Sequence, residues 1–561
     1  MTFNFFILLS FFLLSIFSVI GYGTFFSKIF SNNRKLNYGH KGLYGLFFLI
    51  LYSYLSHYLI PHGIVHNTFI IIIGLLLFFY FQKKKYDFFS LKITLINFLI
   101  LFTALLIFKT HDDFPYYHFG YSYYLTQEPM MIGIGQFNHG LRTPSSIFYL
   151  NSLYFLPYIK YFSFYIPTLL ILGFSNLIMI FNIKKHIKKK NFDFLFYLNI
   201  FFLVFINIFF YRLQEHGTDR SAQILIAILF IEIFYFLTVI KDKKENISNI
   251  FIILGTIISL KAFYVLYLIL LLPIAFIIYK KRRFDLVDYS FKNSYFYAFG
   301  FLVLTVISVY FLNTGCFLYP LSFTCFDNLD WSIGVDRTLK MNEHYQLWSK
   351  AGKTPNFKIS NPEFYLKDFN WLPNWINLYF FNKVSDFLLG LTVLILIILV
   401  LFYKKSSKKI TFNKKIKIFF TIYVFILILF FEWFLNHPAL RYGGYVLIAL
   451  LLFIPFSIFL ETNQKKFKDI ILSLKILILA TIIIFLSRNI QRIDKEIEKY
   501  DYKPLKITFY NVDQSHFRIQ KNFDLLISNY HNCKKKIDSC DENKKKKVKE
   551  ILPNRYMFIY D

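Results

Sequence analysis

Two adjacent carboxylates, Asp112 and Asp113, stand near the start of HDDFPYYHFGYSYYLTQEP (residues 111–129), which also carries His111, His118 and Glu128. The stretch follows directly on an apolar run ending at Phe108, and Asn138, His139 and Arg142 extend it. Neighbouring acids at the end of a membrane helix repel each other and lose hydration, a cost that a cation, a metal or a bound hydroxyl relieves. A carboxylate held there can take the proton of a sugar hydroxyl. It can also hold a divalent cation, Mg²⁺ or Mn²⁺, that neutralises phosphate charge. The plainer alternative is a solvated helix end whose acids only mark a membrane boundary.

Other short stretches carry the same kind of chemistry. RLQEHGTDR packs Arg212, Glu215, His216, Asp219 and Arg220 into nine residues, and guanidinium groups bond two phosphate oxygens at once. The alternative is internal neutralisation, Arg212 with Glu215 and Arg220 with Asp219, which adds little stability at a surface. HPALRYGG places His437 and Arg441 beside Gly443 and Gly444, where backbone or ligand can approach closely and a pyrophosphate clamp is expected. Lys261 is a further phosphate contact or a hairpin-turn charge. Residues 314–383 hold Trp331, Trp348, Trp371 and Trp375 among several acids. Such rings stack on carbohydrate or anchor a membrane interface.

These groups must be positioned by membrane helices. The chain of 561 residues is 56% hydrophobic with a mean hydropathy of +0.47, which a soluble domain does not reach. Apolar segments fall at roughly 3–23, 42–60, 64–82, 91–109, 164–182, 193–211, 221–240, 247–261, 263–280, 293–313, 384–403, 418–436, 445–460 and 469–487. The expected fold is therefore an all-α polytopic membrane protein of about fourteen spans, with a retained first helix and no barrel. The division is 1–90 as N-terminal spans, 91–487 as the core with outer loops 110–163, 212–220, 314–383 and 437–444, and 488–561 as a small extramembrane tail.

The net charge of +30 sits in short basic clusters between apolar runs, so it reads as orientation rather than nucleic-acid binding. Every cluster follows an odd-numbered segment. The N-terminus, the four polar loops and the tail are then expected on the periplasmic side of an inner (cytoplasmic) membrane. The tail's own lysines argue mildly against that placement. Cys316 with Cys325, and Cys533 with Cys540, form pairs on that oxidising side, which fits two short-loop disulfides. Neither pair has the further ligands of a zinc site. No phosphate-binding glycine loop is present.

HDDFPYYH, the outer arginines and the topology resemble the GT-C superfamily of integral-membrane glycosyltransferases. HDDFPYYH, EHGTDR, NTGCFLYP and RYGG are also similar to stretches of uncharacterised bacterial multispanning proteins. The acidic loop follows the fourth span rather than the first, and its acids are contiguous. The resemblance implies transfer of a sugar from a polyprenyl-phosphate-linked donor to a glycan, lipid or protein acceptor, with the carrier drawn from the membrane lipid. Asp112 or Asp113 would act as base or metal ligand, and Arg212, Arg220 and Arg441 would stabilise the leaving phosphate. Two rival readings are an O-antigen polymerase or ligase, dependent on Arg441 and Arg337, and a lipid-linked glycan transporter or flippase. The last would need buried polar residues at membrane depth, chiefly Glu232 and Asn207.

Overall fold

Each of the fourteen apolar segments falls on helix in the computed structural model, which describes residues 3–30, 36–82, 87–238, 243–280, 284–351, 359–405, 415–506, 512–543 and 545–560. Much of the basic sequence that set the expected orientation (31–35, 83–86, 239–242, 281–283 and 406–414) lies outside the described residues. Among the described residues, eleven helices are long and apolar enough to cross a membrane, fewer than the expected fourteen. Phe194–Phe209 has only 16 residues, whereas a bilayer core asks for about 20. Tyr38–His57 and Lys243–Leu260 are long enough but carry His40, Lys41 and His57, and Lys243, Lys244, Glu245 and Asn249.

Those three helices lie among the spans rather than outside them. Asp219–Thr238 is the centre of the bundle: 94% of its apolar window is buried, against 28% for Ile64–Gln82. It packs on Ile166–Lys188, Phe194–Phe209, Lys243–Leu260 and Gly444–Thr462. An all-round apolar sequence such as ILIAILFIEIFYF suits that position, because no face has to meet water.

The one acid in that run, Glu232, is fully engaged. His40 Nε2 lies 2.9 Å from one oxygen, and Asn246 and Asn249 each donate to the other at 2.8 Å. Asn207 likewise exchanges hydrogen bonds with Asn176 and donates to Leu203 O. Both groups expected to favour transport thus have their hydrogen bonds made inside the bundle, as buried polar atoms require.

The first two helices approach so closely that only glycine fits. A Cβ at Gly45 would stand 2.0 Å from Val19 O, and one at Gly23 would stand 1.7 Å from Lys41 O. Small residues at such crossings let backbones meet where lipid offers no hydrophobic drive.

The C-terminal segment is a helix, Arg518–Lys534, and an antiparallel hairpin, Lys546–Leu552 with Arg555–Tyr560. The strand-like YMFIY is the second strand, while most of KITFY lies outside the described residues. The segment does not stand apart. Ile132 N–H donates to Tyr556 O, and Phe558 N–H donates to Ile132 O. Phe517 packs edge-on against Phe119, and Ile519 fills the space over Gly120. The tail and the loop 110–163 therefore share one end of the bundle. Cys316–Cys325 and Cys533–Cys540 are both disulfides at that end.

Replacing Gly45 by valine should force the first two helices apart. Overpacking of this kind costs about 1–3 kcal/mol, read as a lower melting temperature of the purified protein than that of a Gly300→Val control, where a Cβ meets nothing within 4 Å.

Candidate functional site

Asp113, and not Asp112, joins the convergent groups. Asp112 points to solvent, whereas Asp113 is half-buried. His111 Nδ1 accepts the Asp113 backbone N–H at 3.0 Å and lies 3.6 Å from its carboxylate. A wide helical turn over Phe114–His118 then brings His118 back beneath His111, ring centroids 5.1 Å apart. Ligand atoms of His111, Asp113 and His118 lie within 4.8 Å of one another.

The EHGTDR stretch closes over this pair. Gly217 has φ +54°, and a Cβ there would sit 3.0 Å from the His118 ring. Left-handed backbone and close approach both call for glycine. Just beyond it, Asp219 and Arg220 start the central helix. Asp219 accepts from the Lys261 ammonium at 2.5 Å, so Lys261, not Arg220, is its ion-pair partner. Arg220 makes no ion pair among the described residues, and its buried Nη1 has no hydrogen-bond partner.

Arg441 completes the cluster. Gly443, at φ +121°, turns the chain into the helix Gly444–Thr462. Gln223 on the central helix fixes that turn. It donates to Arg441 O at 2.8 Å and accepts from Val446 N–H at 3.2 Å. The guanidinium donates to Tyr442 OH at 2.7 Å, and Lys261 lies over the same phenol ring at 4.3 Å.

Electrostatics tie these elements into one site. Burial works against the charge of Arg441, but Tyr442, Asp219 and Asp113 together hold its pKa above the ordinary value. His118 is pushed well below the usual imidazole value by burial, then by His111, Lys261 and Arg441. His111 is lowered by burial too, with Asp113 opposing and Arg441 and Arg220 adding to the fall. Both rings are therefore neutral near pH 7 and free to act as ligands or hydrogen-bond acceptors.

Several expected residues are engaged elsewhere. Arg212 pairs with Glu215 at 3.4 Å, and Glu215 also takes Arg492 at 2.6 Å. Glu496 then accepts from Phe108 N–H. This network ties the loop 212–215 to the last long helix, so Arg212 and Glu215 brace the fold. His216 donates from Nε2 to Phe210 O at 2.7 Å. Arg142 donates to Gly135 O at 3.0 Å and lies by Tyr319, and Arg337 donates to Gln136. His139 is exposed, near Arg142, Arg518 and Lys546.

Of the four tryptophans of residues 314–383, Trp331 and Trp348 are half-buried and the other two face inward. Trp371 and Trp375 are buried against Phe434. Trp375 Nε1 donates to Pro438 O at 3.1 Å, and Trp433 Nε1 donates to Ala439 O at 2.9 Å. Beneath them lies a cavity of about 570 Å³ with a wholly apolar lining that includes Trp375, Phe380, Leu388, Phe430, Trp433 and Leu451. The two indoles thus form its wall and also hold the turn that leads to Arg441. His437 sits on that turn, its Nδ1 without a partner. Burial, then Lys261 and Lys350, push its pKa down to about 4.

Lys350 is the residue that sequence reasoning missed. It closes the helix Val335–Lys350 and is 5% exposed, with its ammonium 5.4 Å from the Trp371 ring centre. Nothing local in SKAGK marks it as buried.

Two outcomes follow. Because His437 is held neutral, its contribution to stability is complete above the free imidazole pKa of about 6.5. It is lost as pH falls toward 4. Melting temperature should therefore drop over that interval, and His437→Gln should flatten the slope in parallel thermal melts. Gln223→Leu leaves Val446 N–H and two carbonyls of the turn unpaired, at a cost of about 1–3 kcal/mol. Faster amide exchange at residues 438–446 than at 219–230 would show that the loss is local.

Residues 5–448 match the family described as a domain of unknown function (DUF8201). That span includes Asp113, Asp219, Arg220, Lys261 and Arg441, and it ends before the C-terminal hairpin. No curated protein and no solved structure matches the chain. With most of its length matched, the chain is a multi-helix membrane member of the DUF8201 family.

Proposed function

We propose that this protein is a membrane glycosyltransferase that moves a sugar from a lipid-phosphate carrier to an acceptor hydroxyl, with a GT-C-like helical core. The observation that carries the reading is the junction of a carboxylate, a set of cations and an apolar cavity. Asp113 stands with Arg220, Arg441 and Lys261, and the turn bearing Arg441 is held by the tryptophans that wall the cavity. A prenyl-phosphate sugar has parts to match: a sugar whose anomeric carbon is attacked by the acceptor hydroxyl beside the carboxylate, an anion in the middle and a hydrocarbon at the other end.

In the transfer, the acceptor oxygen forms a bond to the anomeric carbon as the bond from that carbon to the phosphate oxygen breaks. The acceptor proton passes to the Asp113 carboxylate, and the bonding pair leaves with the phosphate. Arg220 Nη1, buried and unpartnered, and Arg441 meet the charge that builds there. Fixed donors in a dry site are worth more than the same donors in water. Lys261, neutralised by Asp219, lies on the Tyr442 ring that holds Arg441.

His111, Asp113 and His118 also fit a divalent cation. Two neutral imidazoles and a carboxylate suit Mn²⁺ or Zn²⁺ better than Mg²⁺, which prefers oxygen ligands. A bound ion would supply Lewis-acid stabilisation of the phosphate.

On this reading the site end lies on the periplasmic face of the inner membrane, which the disulfides support. Both disulfides share that end, and disulfides persist in oxidising compartments.

The test is a membrane assay with radiolabelled polyprenyl-phosphate and polyprenyl-diphosphate sugars. Asp113→Asn should abolish transfer, by at least about 100-fold for loss of a general base, whereas Asp112→Asn should retain most of it. Equal loss in both, or retained transfer in Asp113→Asn, would remove Asp113 from the role. A chelator series with Mn²⁺ or Zn²⁺ add-back tests the ion.

A further inference from the structure

Lys350 is a largely buried residue whose ammonium no described carboxylate neutralises. It is 5% exposed, and its only close charge-stabilising contact among the described residues is the face of Trp371, 5.4 Å away. A cation–π contact offsets only part of what the ammonium loses on leaving water. Arg220 shares this lack of a partner, but two other cations of the site do not. Lys261 has Asp219, and Arg441 has Tyr442 with Asp219 and Asp113 in reach.

The location of Lys350 points to what completes it. It and Lys261 are the two charges that bear on His437, whose Nδ1 is buried without a partner. Trp371 packs at 6.1 Å against Trp375, a wall of the apolar cavity. Lys350 and His437 therefore lie on the cavity side of the cluster, while Arg220 and Arg441 bear on His111 beside Asp113. Running from Asp113 outward, the site offers one set of anion donors, then a second, then hydrocarbon.

On the reading above that the donor is lipid-linked, we infer that Lys350 and His437 hold a second phosphate, so the carrier is a prenyl diphosphate rather than a monophosphate. The phosphate next to the sugar meets Arg220 and Arg441. The phosphate next to the lipid supplies the negative charge that Lys350 lacks, and accepts a hydrogen bond from His437 Nδ1–H. A monophosphate diester carries one charge and leaves one of the two sets unmatched, which is how such a site discriminates: by the unpaired buried group that the wrong ligand leaves behind.

The experiment uses the full-length protein in lipid nanodiscs with three probes: farnesol, farnesyl phosphate and farnesyl diphosphate. In the wild type the diphosphate should bind about tenfold or more tightly than the monophosphate, and farnesol more weakly than either. Lys350→Gln should cut diphosphate affinity about tenfold while monophosphate affinity stays within about twofold, and Lys350→Arg should keep the wild-type ratio. Equal wild-type affinities for the two phosphates, or equal losses for both in Lys350→Gln, would overturn the inference and leave the lipid-linked reading standing. Failure of all three probes to bind would overturn the lipid-linked reading itself. If Lys350→Gln does not fold, judged by thermal melt, the wild-type ratio and Lys350→Arg decide.

Discussion

At 2.5 Å from the Asp219 carboxylate, the Lys261 ammonium bridges two helix junctions: the start of the central helix and the exit of the helix Lys243–Leu260. The same ammonium lies on the ring of Tyr442, whose hydroxyl accepts from Arg441. Three segments far apart in the chain are thereby held around one pair of opposite charges. Removing either partner would leave the other partly buried and uncompensated, the situation in which an ion pair matters most. Gln223 acts one turn deeper, bonding the carbonyl of Arg441 itself. The cations of the site are thus fixed through backbone and ring contacts, which leaves guanidinium donors such as Arg220 Nη1 available.

Segment by segment, hydrophobic run length located the apolar helices of the bundle, because helices in lipid satisfy their own backbone and need only apolar side chains. The count of spans was less legible. Tyr38–His57 and Lys243–Leu260 tolerate His40, Asn246 and Asn249 because these meet Glu232 inside the bundle, and a window average cannot see a partner in another helix. For the site, Asp113, Asp219, Arg220, Lys261 and Arg441 stood out as polar residues at the ends of apolar runs. The pairings among them did not. Sequence proximity proposed Arg220 for Asp219, yet Lys261 takes the acid. Arg212 does pair with nearby Glu215, but Glu215 also takes Arg492, 277 residues farther along the chain. Lys350 was invisible because its burial depends on Trp371 and Tyr365, which follow it in a loop without periodicity.

The apolar cavity shows a similar division of labour. Its lining is a generic run of Leu, Ile, Phe and Trp, indistinguishable in composition from lipid-facing surface. What sets it apart is that two of its indoles spend their N–H groups on Pro438 O and Ala439 O. An occupant that shifts those rings would shift the turn carrying His437 and Arg441, so hydrocarbon and charge are read by one rigid unit.

The hairpin at residues 546–560 lies on the edge of the backbone at Ile132 and caps both its N–H and its C=O. Arg555 reaches farther, to the carbonyls of Tyr58 and Leu59 at the turn between the second and third helices. A nascent chain has inserted its early helices long before this hairpin exists. Until the hairpin arrives, Ile132 presents an open edge, and the early turn keeps two carbonyls waiting for a guanidinium. Folding therefore has a late step that reaches back to the first quarter of the polypeptide, and a chain cut short before residue 546 would carry its helical bundle with an unfinished surface beside its polar loop.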